Sequence, residues 1–306
     1  MKKIDGHLHL VRSIAGFNAN GRLNPLGKGR AVWDTGEELQ LIPEGYGDEA
    51  FLVEDAIKLM ATGGVERAVL LQGSLNGYQN AYTYQVTQSY PERFVGAFAI
   101  DPYTHNVEQI VKHHVEDLGF RIMKLEMSEG GGLQGYHEAF NLAEMSVLQN
   151  VFAYLATYEG VTVVVDYGDG DQTSHQPESI VKLAELYPKM TFVVAHLSFP
   201  HVDQLEELQE TLELFKPFNN IYLDLSAIQD IDDDTEYPFP KSQKVVQLAV
   251  DIVGSEKLIW GSDAPLSATF NPYESLANWL EDSGLFTKKQ LEDMYFNTAE
   301  TVYFKR

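Results

Sequence analysis

Ile4-Asp5-Gly6-His7-Leu8-His9, close to the start of the chain, and Leu258-Ile259-Trp260-Gly261-Ser262-Asp263-Ala264-Pro265, close to its end, decide the fold by whether they meet. Successive side chains on a strand point to opposite faces, so His7 and His9 leave the first run on one side, roughly 7 Å apart along the chain. Two imidazoles on one rigid strand form half of a metal site. A lone His-x-His pair is more often two packed or surface histidines, so its meaning depends on company. The second run supplies it, because its short apolar stretch ends in the carboxylate of Asp263.

Working outward, eight apolar runs alternate with stretches of helical period. The strand candidates are Lys3-Leu8, Arg67-Gln72, Phe94-Ile100, Arg121-Leu125, Val161-Asp166, Thr191-His196, Ile221-Leu225 and Leu258-Gly261. Most are nearly continuous in apolar residues, the pattern of parallel strands covered on both faces. Between them, Val107, Ile110, Val111, Val115 and Leu118, or Leu205, Leu208, Leu212 and Phe215, mark helical packing stripes. Pro177 opens a helix and Pro188 follows its end, while Gly119 and Gly254 stand where helices stop. Eight βα units in 306 residues predict a (β/α)₈ TIM barrel forming one domain over 1–306. Closure has a second argument. The first and eighth strands are neighbours only in a closed sheet, and only then can His7, His9 and Asp263 converge.

Composition narrows the function. A net charge of -23 supplies too few clustered cations for a nucleic-acid phosphate backbone. With no cysteine there is no disulfide framework and no thiolate site, so any metal rests on His, Asp, Glu or water. Met1-Lys2-Lys3 runs straight into the first strand without a signal-peptide pattern, and no window is long and apolar enough to span a bilayer. The expected location is the cytoplasm, with no membrane partner.

Two connections break the rhythm. Leu10 to about Gly47 is far longer than an ordinary βα loop and carries Arg12, Arg22, Lys28 and Arg30 with Phe17, Trp33 and Tyr46. Following strand one, it is expected as a lid-like loop over the C-terminal face, with Arg12 the candidate to hold a substrate carboxylate. Met127 to Asn141 contains Gly130-Gly131-Gly132, then Tyr136, His137, Glu138 and Phe140. No phosphate-loop Gly-Lys-Ser/Thr follows, so that stretch reads as substrate wall or plain loop.

Barrel enzymes draw their chemistry from strand C-termini. Here those ends offer His7, His9, Lys124, Glu126, Asp166, His196, Asp224, Ser226 and Asp263. A divalent ion on His7, His9 and Asp263 with an open position would bring a water's pKa towards about 7. Asp263 can bind the ion and accept a proton, and His196 can ligate or act as acid/base. Lys124, near Glu126, can neutralise a substrate carboxylate or form a buried ion pair.

At this point Asp5-Gly6-His7-Leu8-His9, Lys124-Leu125-Glu126, Ala195-His196-Leu197, Asp224-Leu225-Ser226 and Gly261-Ser262-Asp263-Ala264-Pro265 are in an order that resembles the amidohydrolase superfamily. The likeness is greatest to its small single-domain barrels, metal-dependent hydrolases and aminocarboxymuconate-semialdehyde or resorcylate type decarboxylases. It implies that His7 and His9 bind metal, that Asp263 is ligand and general base, and that His196 is the strand-six histidine beside the ion. The chain departs from the pattern twice. Asp166 stands where a ligand His usually ends strand five, and Glu126 where a His usually follows the strand-four Lys. Asp166 can still ligate, in a harder, more anionic sphere that brings manganese into consideration beside zinc.

The leading expectation is a metal-dependent hydrolase that uses a metal-bound hydroxide on an amide, lactone or ester of a small carboxylate-bearing substrate. Lys124, Glu126 and Arg12 are its expected substrate contacts. The alternatives are a nonoxidative decarboxylase on the same scaffold and a barrel that only binds metal or metabolite. A homodimer is compatible with the sequence, which locates no interface.

Overall fold

A computed structural model describes residues 1–128 and 140–305. Its main sheet is all parallel: β1 (Ile4–His9), β6 (Arg67–Leu71), β7 (Phe94–Ala99), β8 (Ile122–Glu126), β9 (Thr162–Asp166), β10 (Thr191–Val194), β11 (Ile221–Asp224) and β12 (Leu258–Ile259), each bonded to the next. The long connection after β1 contributes β2 (Phe17–Asn18), β3 (Gly21–Gly27), β4 (Arg30–Trp33) and β5 (Glu38–Gln40). Outside the sheet run α1 (Val53–Thr62), α2 (Asn80–Ser89), α3 (Val107–Lys112), α4 (Ser146–Leu155), α5 (Pro177–Leu186), α6 (Leu205–Phe215), α7 (Ile228–Ile231), α8 (Pro240–Val253), α9 (Ser267–Phe270), α10 (Tyr273–Asp282) and α11 (Lys288–Glu292). No helix among the described residues is long and apolar enough to cross a membrane.

Closure of the (β/α)₈ barrel comes from backbone contacts between β1 and the segment after β12. Gly6 N donates to Trp260 O at 2.9 Å, Asp263 N to His7 O at 2.8 Å and His9 N to Ala264 O at 2.8 Å. Two glycines make this approach possible. A Cβ on Gly6 would stand 2.9 Å from Trp260 O, and one on Gly261 would stand 2.9 Å from His7 N and 2.7 Å from His7 Cβ.

Inside the ring, Ile4, Val69, Leu71, Ala97, Ile122, Val164, Val193 and Ile259 form an apolar plug, joined by Ala299, Val302 and Tyr303 near the chain's end. Against the helices pack the alternate residues, among them Leu8, Leu70, Phe98, Met123, Val165 and Val194. Ile4 and Leu8 have the same parity but face opposite sides, because the pairing of β1 with β6 shifts register between Asp5 and Leu8. Such a bulge re-aims the residues beyond it. It lets Ile4 fill the plug while His7 and His9 point into the cavity above it.

Two expectations need correction. The Leu10–Gly47 stretch is not an irregular loop: β2 to β5 pair in order as an antiparallel sheet, pinned at its base where Val11 and Phe51 exchange hydrogen bonds of 2.9 and 2.7 Å. Asn20-Gly21, Gly27-Lys28-Gly29 and Thr35-Gly36 were its hairpin signals. The sixth strand stops at Val194, and His196 to Phe199 all take left-handed backbone angles, with φ of 53°, 49°, 65° and 54°. The stretch Gly130-Gly131-Gly132 to Glu138 lies outside the described residues.

If closure depends on these glycines, Gly6→Ala and Gly261→Ala each cost about 2–3 kcal/mol by overpacking. Gly170→Ala, whose new Cβ meets only a side-chain oxygen at 3.5 Å, serves as control and stays within about 0.5 kcal/mol. Urea unfolding of the three variants beside the parent chain measures the difference.

Candidate functional site

Above the apolar plug the strand ends turn polar. They enclose a cavity of about 120 Å³ whose walls include His7, His9, Lys124, Glu126, Asp166, His196 and Asp263, together with Asn76 from the turn after β6. The His7 ring lies 4.9 Å from that of His9 and 5.1 Å from that of His196, centre to centre. Among the described residues, ligand atoms of His7, His196 and Asp263 fall within 4.8 Å of one another. His9 stands on the far side of Asp263, its Nε2 2.9 Å from Oδ1. Asp166 stands beside His196, with 3.6 Å between Oδ2 and Nε2.

The partners of the ring nitrogens establish which of them carry protons. His7 Nδ1 donates to Asp224 Oδ2 at 2.6 Å, His9 Nδ1 to Leu71 O at 3.1 Å and His196 Nδ1 to Ser226 O at 3.0 Å. A carbonyl or ionised carboxylate can only accept, so each Nδ1 carries a hydrogen; His9 Nε2 also faces an acceptor, Asp263 Oδ1 at 2.9 Å. Burial lowers the His7 pKa to about 4, with Asp224 raising it and Lys124 lowering it further, so this ring is neutral. Its Nε2 is buried without a hydrogen-bond partner and stands 3.4 Å from Asp263 Oδ1.

His196 differs. Burial disfavours its charge, but Asp166, then Asp263 and Asp224, outweigh burial and lift its pKa to about 9. Asp166 is pulled down to about 2, because His196 and Lys124 overcome its burial. Asp263 is likewise held well below the ordinary carboxylate range by His9, His7 and His196 despite burial. A bare imidazole nitrogen aimed at an ionised carboxylate is repulsive unless a cation lies between them. The donor set of His7, His9 and Asp263 therefore fits a divalent ion, and the Asp224–His7 bond is the outer support such ligands use.

Comparison with known proteins identifies the family and the fold. The family model described as Amidohydrolase matches residues 4–305. The chain belongs to the amidohydrolase family. No curated protein matches it in sequence. Among solved structures, this amidohydrolase is similar to a Burkholderia multivorans amidohydrolase with bound zinc (TM-score 0.72, 14% identity, 99% of each chain covered). It is also similar to a probable 2-pyrone-4,6-dicarboxylic acid hydrolase from Acinetobacter baumannii with citric acid bound (TM-score 0.69, 16% identity, 99% of each chain). A third is 5-carboxyvanillate decarboxylase from Sphingomonas paucimobilis (TM-score 0.58, 12% identity, 81% of this chain and 82% of that one). At these identities the likeness is one of fold.

Other expected contacts separate. Lys124 is 2% exposed and, among the described residues, lies within ion-pair distance of no carboxylate. Glu126 instead accepts from Ser74 N at 3.0 Å and Ser74 Oγ at 2.7 Å, and burial, with Lys124 opposing and Asp166 adding, raises its pKa. Arg12 is exposed and does not line the cavity; its guanidinium lies 5.8 Å from the centre of the Tyr82 ring. Arg30 pairs with Glu38 in the antiparallel sheet, and Trp33 is buried.

Asp5 was the overlooked residue. Fully buried, it accepts from Ser262 N at 2.9 Å, Ser262 Oγ at 2.6 Å, Tyr273 OH at 2.8 Å and His7 N at 3.1 Å. It thereby binds the His7 strand to the Asp263 turn. Its signal was a charge inside an otherwise buried strand, which demands partners.

A second group, His201, Asp203 and Asp232, has ligand spacing but different chemistry. Both His201 nitrogens face carboxylates at 2.9 Å, Nδ1 to Asp232 and Nε2 to Asp169, so this ring is a doubly bonded imidazolium joining three loops. Burial lowers its pKa, but Asp232 and Asp169 prevail and raise it above the ordinary value. A raised pKa gives stability that is complete below about pH 6.5 and is lost as pH climbs through the folded-state value. His201→Gln should therefore lower the melting temperature at pH 6 and make a smaller difference at pH 9, as read by thermal unfolding at both.

Proposed function

We propose that this amidohydrolase is a metal-dependent hydrolase that cleaves an amide, lactone or ester bond in a small carboxylate-bearing substrate. The observation that carries the proposal is the convergence of two ring nitrogens, His7 Nε2 and His9 Nε2, on one carboxylate oxygen, Asp263 Oδ1. His7, His9 and Asp263 would hold the ion. Of the three imidazoles, His196 is the one pushed towards its charged form. A divalent cation bound there supplies Lewis acidity, polarising water and the substrate carbonyl.

The chain's own groups supply the remainder. Asp263 is ionised and stands at the cavity wall, where its free oxygen can take the proton of an attacking water. His196, its Nδ1 fixed on Ser226 O, offers its Nε2 proton to the carbonyl oxygen as negative charge grows. Lys124, buried and with no carboxylate within ion-pair distance among the described residues, receives the substrate carboxylate. The apolar plug lies below the cavity, and the turn after β6 forms part of its wall.

The test is a panel of carboxylate-bearing lactones, esters and amides, assayed with zinc- or manganese-loaded protein for acid release and for CO₂. The expected result is hydrolysis without CO₂, cut about 10²–10⁴-fold in kcat by Asp263→Asn. Asp224→Asn is expected to weaken metal affinity about 10–100-fold in a chelator competition. Release of CO₂ from an unsaturated or aromatic acid would replace the hydrolase with a carbon–carbon lyase. Turnover unaffected by Asp263→Asn would remove the proposed base.

A further inference from the structure

The turn after β6 is tied down almost completely. Gln79 Nε2 donates to Ser13 O and Asn76 O at 3.1 Å, and Gln72 Nε2 donates to Ala97 O at 2.6 Å. Ser74 is held on Glu126, and Phe17 N donates to Ser74 O at 2.9 Å. In this rigid setting one polar group is left over. Asn76 is 3% exposed, lines the cavity, and its Oδ1 is buried with no hydrogen-bond partner among the described residues.

An unsatisfied buried carbonyl oxygen costs about 1–3 kcal/mol, so a folded chain gains stability by losing it. Its position in the wall gives it a use, since a ligand can bring the missing donor. Across the same cavity Lys124 feels Glu126 and Asp166 but has no carboxylate within ion-pair distance among the described residues, and it is the one Lys or Arg among the described lining residues. His196 on the same wall already faces Asp166 at 3.6 Å, so a second substrate carboxylate would meet Asp263, Asp166 and Glu126 without a cation left free for it.

We infer that the substrate is a small monocarboxylate bearing an O–H or N–H donor, its carboxylate held by Lys124 and its donor by Asn76 Oδ1. This rests on the reading of the cavity as a carboxylate site and adds a specificity-determining residue to it. Asn76 takes no part in proton transfer. It selects for the donor by leaving its own oxygen unpaired when the donor is missing.

Metal-loaded protein titrated calorimetrically with benzoate, its three monohydroxy derivatives and isophthalate tests this. At least one hydroxybenzoate should bind about tenfold more tightly than benzoate, the worth of one buried hydrogen bond. Isophthalate should bind more weakly than that isomer. Asn76→Leu should bring the ratio of hydroxybenzoate to benzoate affinity close to one and hold or raise the melting temperature; if it fails to fold, Asn76→Ala provides the same ratio. Lys124→Met should weaken every acid. An unchanged hydroxyl preference in the Asn76 variant, or tightest binding by isophthalate, overturns the inference while the carboxylate site stands. Binding of all the acids untouched by Lys124→Met overturns the carboxylate site, and the inference with it.

Discussion

Two backbones from opposite ends of the chain lie so close together that neither Gly6 nor Gly261 has room for a side chain. That contact is the constraint from which the rest follows. Three hydrogen bonds run along it, and the buried Asp5 carboxylate binds its two sides together through Ser262, His7 and Tyr273. Asp5 is held at this seam although burial pushes its pKa up to about 6, against the donors that lower it. The result is positional. His7, His9 and Asp263 are fixed relative to one another by strand geometry, and a site on rigid elements keeps its distances better than one built from loops.

The seam also shapes the electrostatics. Asp224 and Asp166 end two strands and Asp263 follows a third around one small space, and each meets an imidazole. Asp224 fixes the tautomer of His7, Asp166 keeps a proton on His196, and Asp263 is left facing the unpartnered His7 Nε2 beside its contact with His9 Nε2. The chain thus divides chemically similar histidines into two kinds. One kind offers a lone pair, the other a proton. His201, clamped between two carboxylates on the loops outside, shows the contrast: with both nitrogens engaged it secures structure and has nothing to offer a ligand.

Much of this was legible in the sequence. All eight barrel strands lie where apolar runs placed them, because parallel strands buried on both faces leave an unbroken hydrophobic signature. The pairing of the first and last runs followed from the need to bring His7, His9 and Asp263 together. Three things were not legible, each for a physical reason. The bulge between Asp5 and Leu8 arises from tertiary pairing, and alternation alone would have put Ile4 and His7 on opposite faces. The left-handed turn at His196–Phe199 contains no glycine, so nothing in its composition marks it. The antiparallel sheet after β1 was hidden by brevity, since strands such as Phe17–Asn18 and Glu38–Gln40 are too short to show a period. Asn76 was invisible for another reason, because a missing partner is a property of the folded cavity.

The most direct test of the account is anomalous diffraction at the zinc and manganese edges from crystals of metal-loaded protein. One ion should lie between His7 Nε2, His9 Nε2 and an Asp263 oxygen, with His7 Nδ1 still bonded to Asp224. An ion held elsewhere, or no anomalous peak between those three groups with metal in excess, would contradict it.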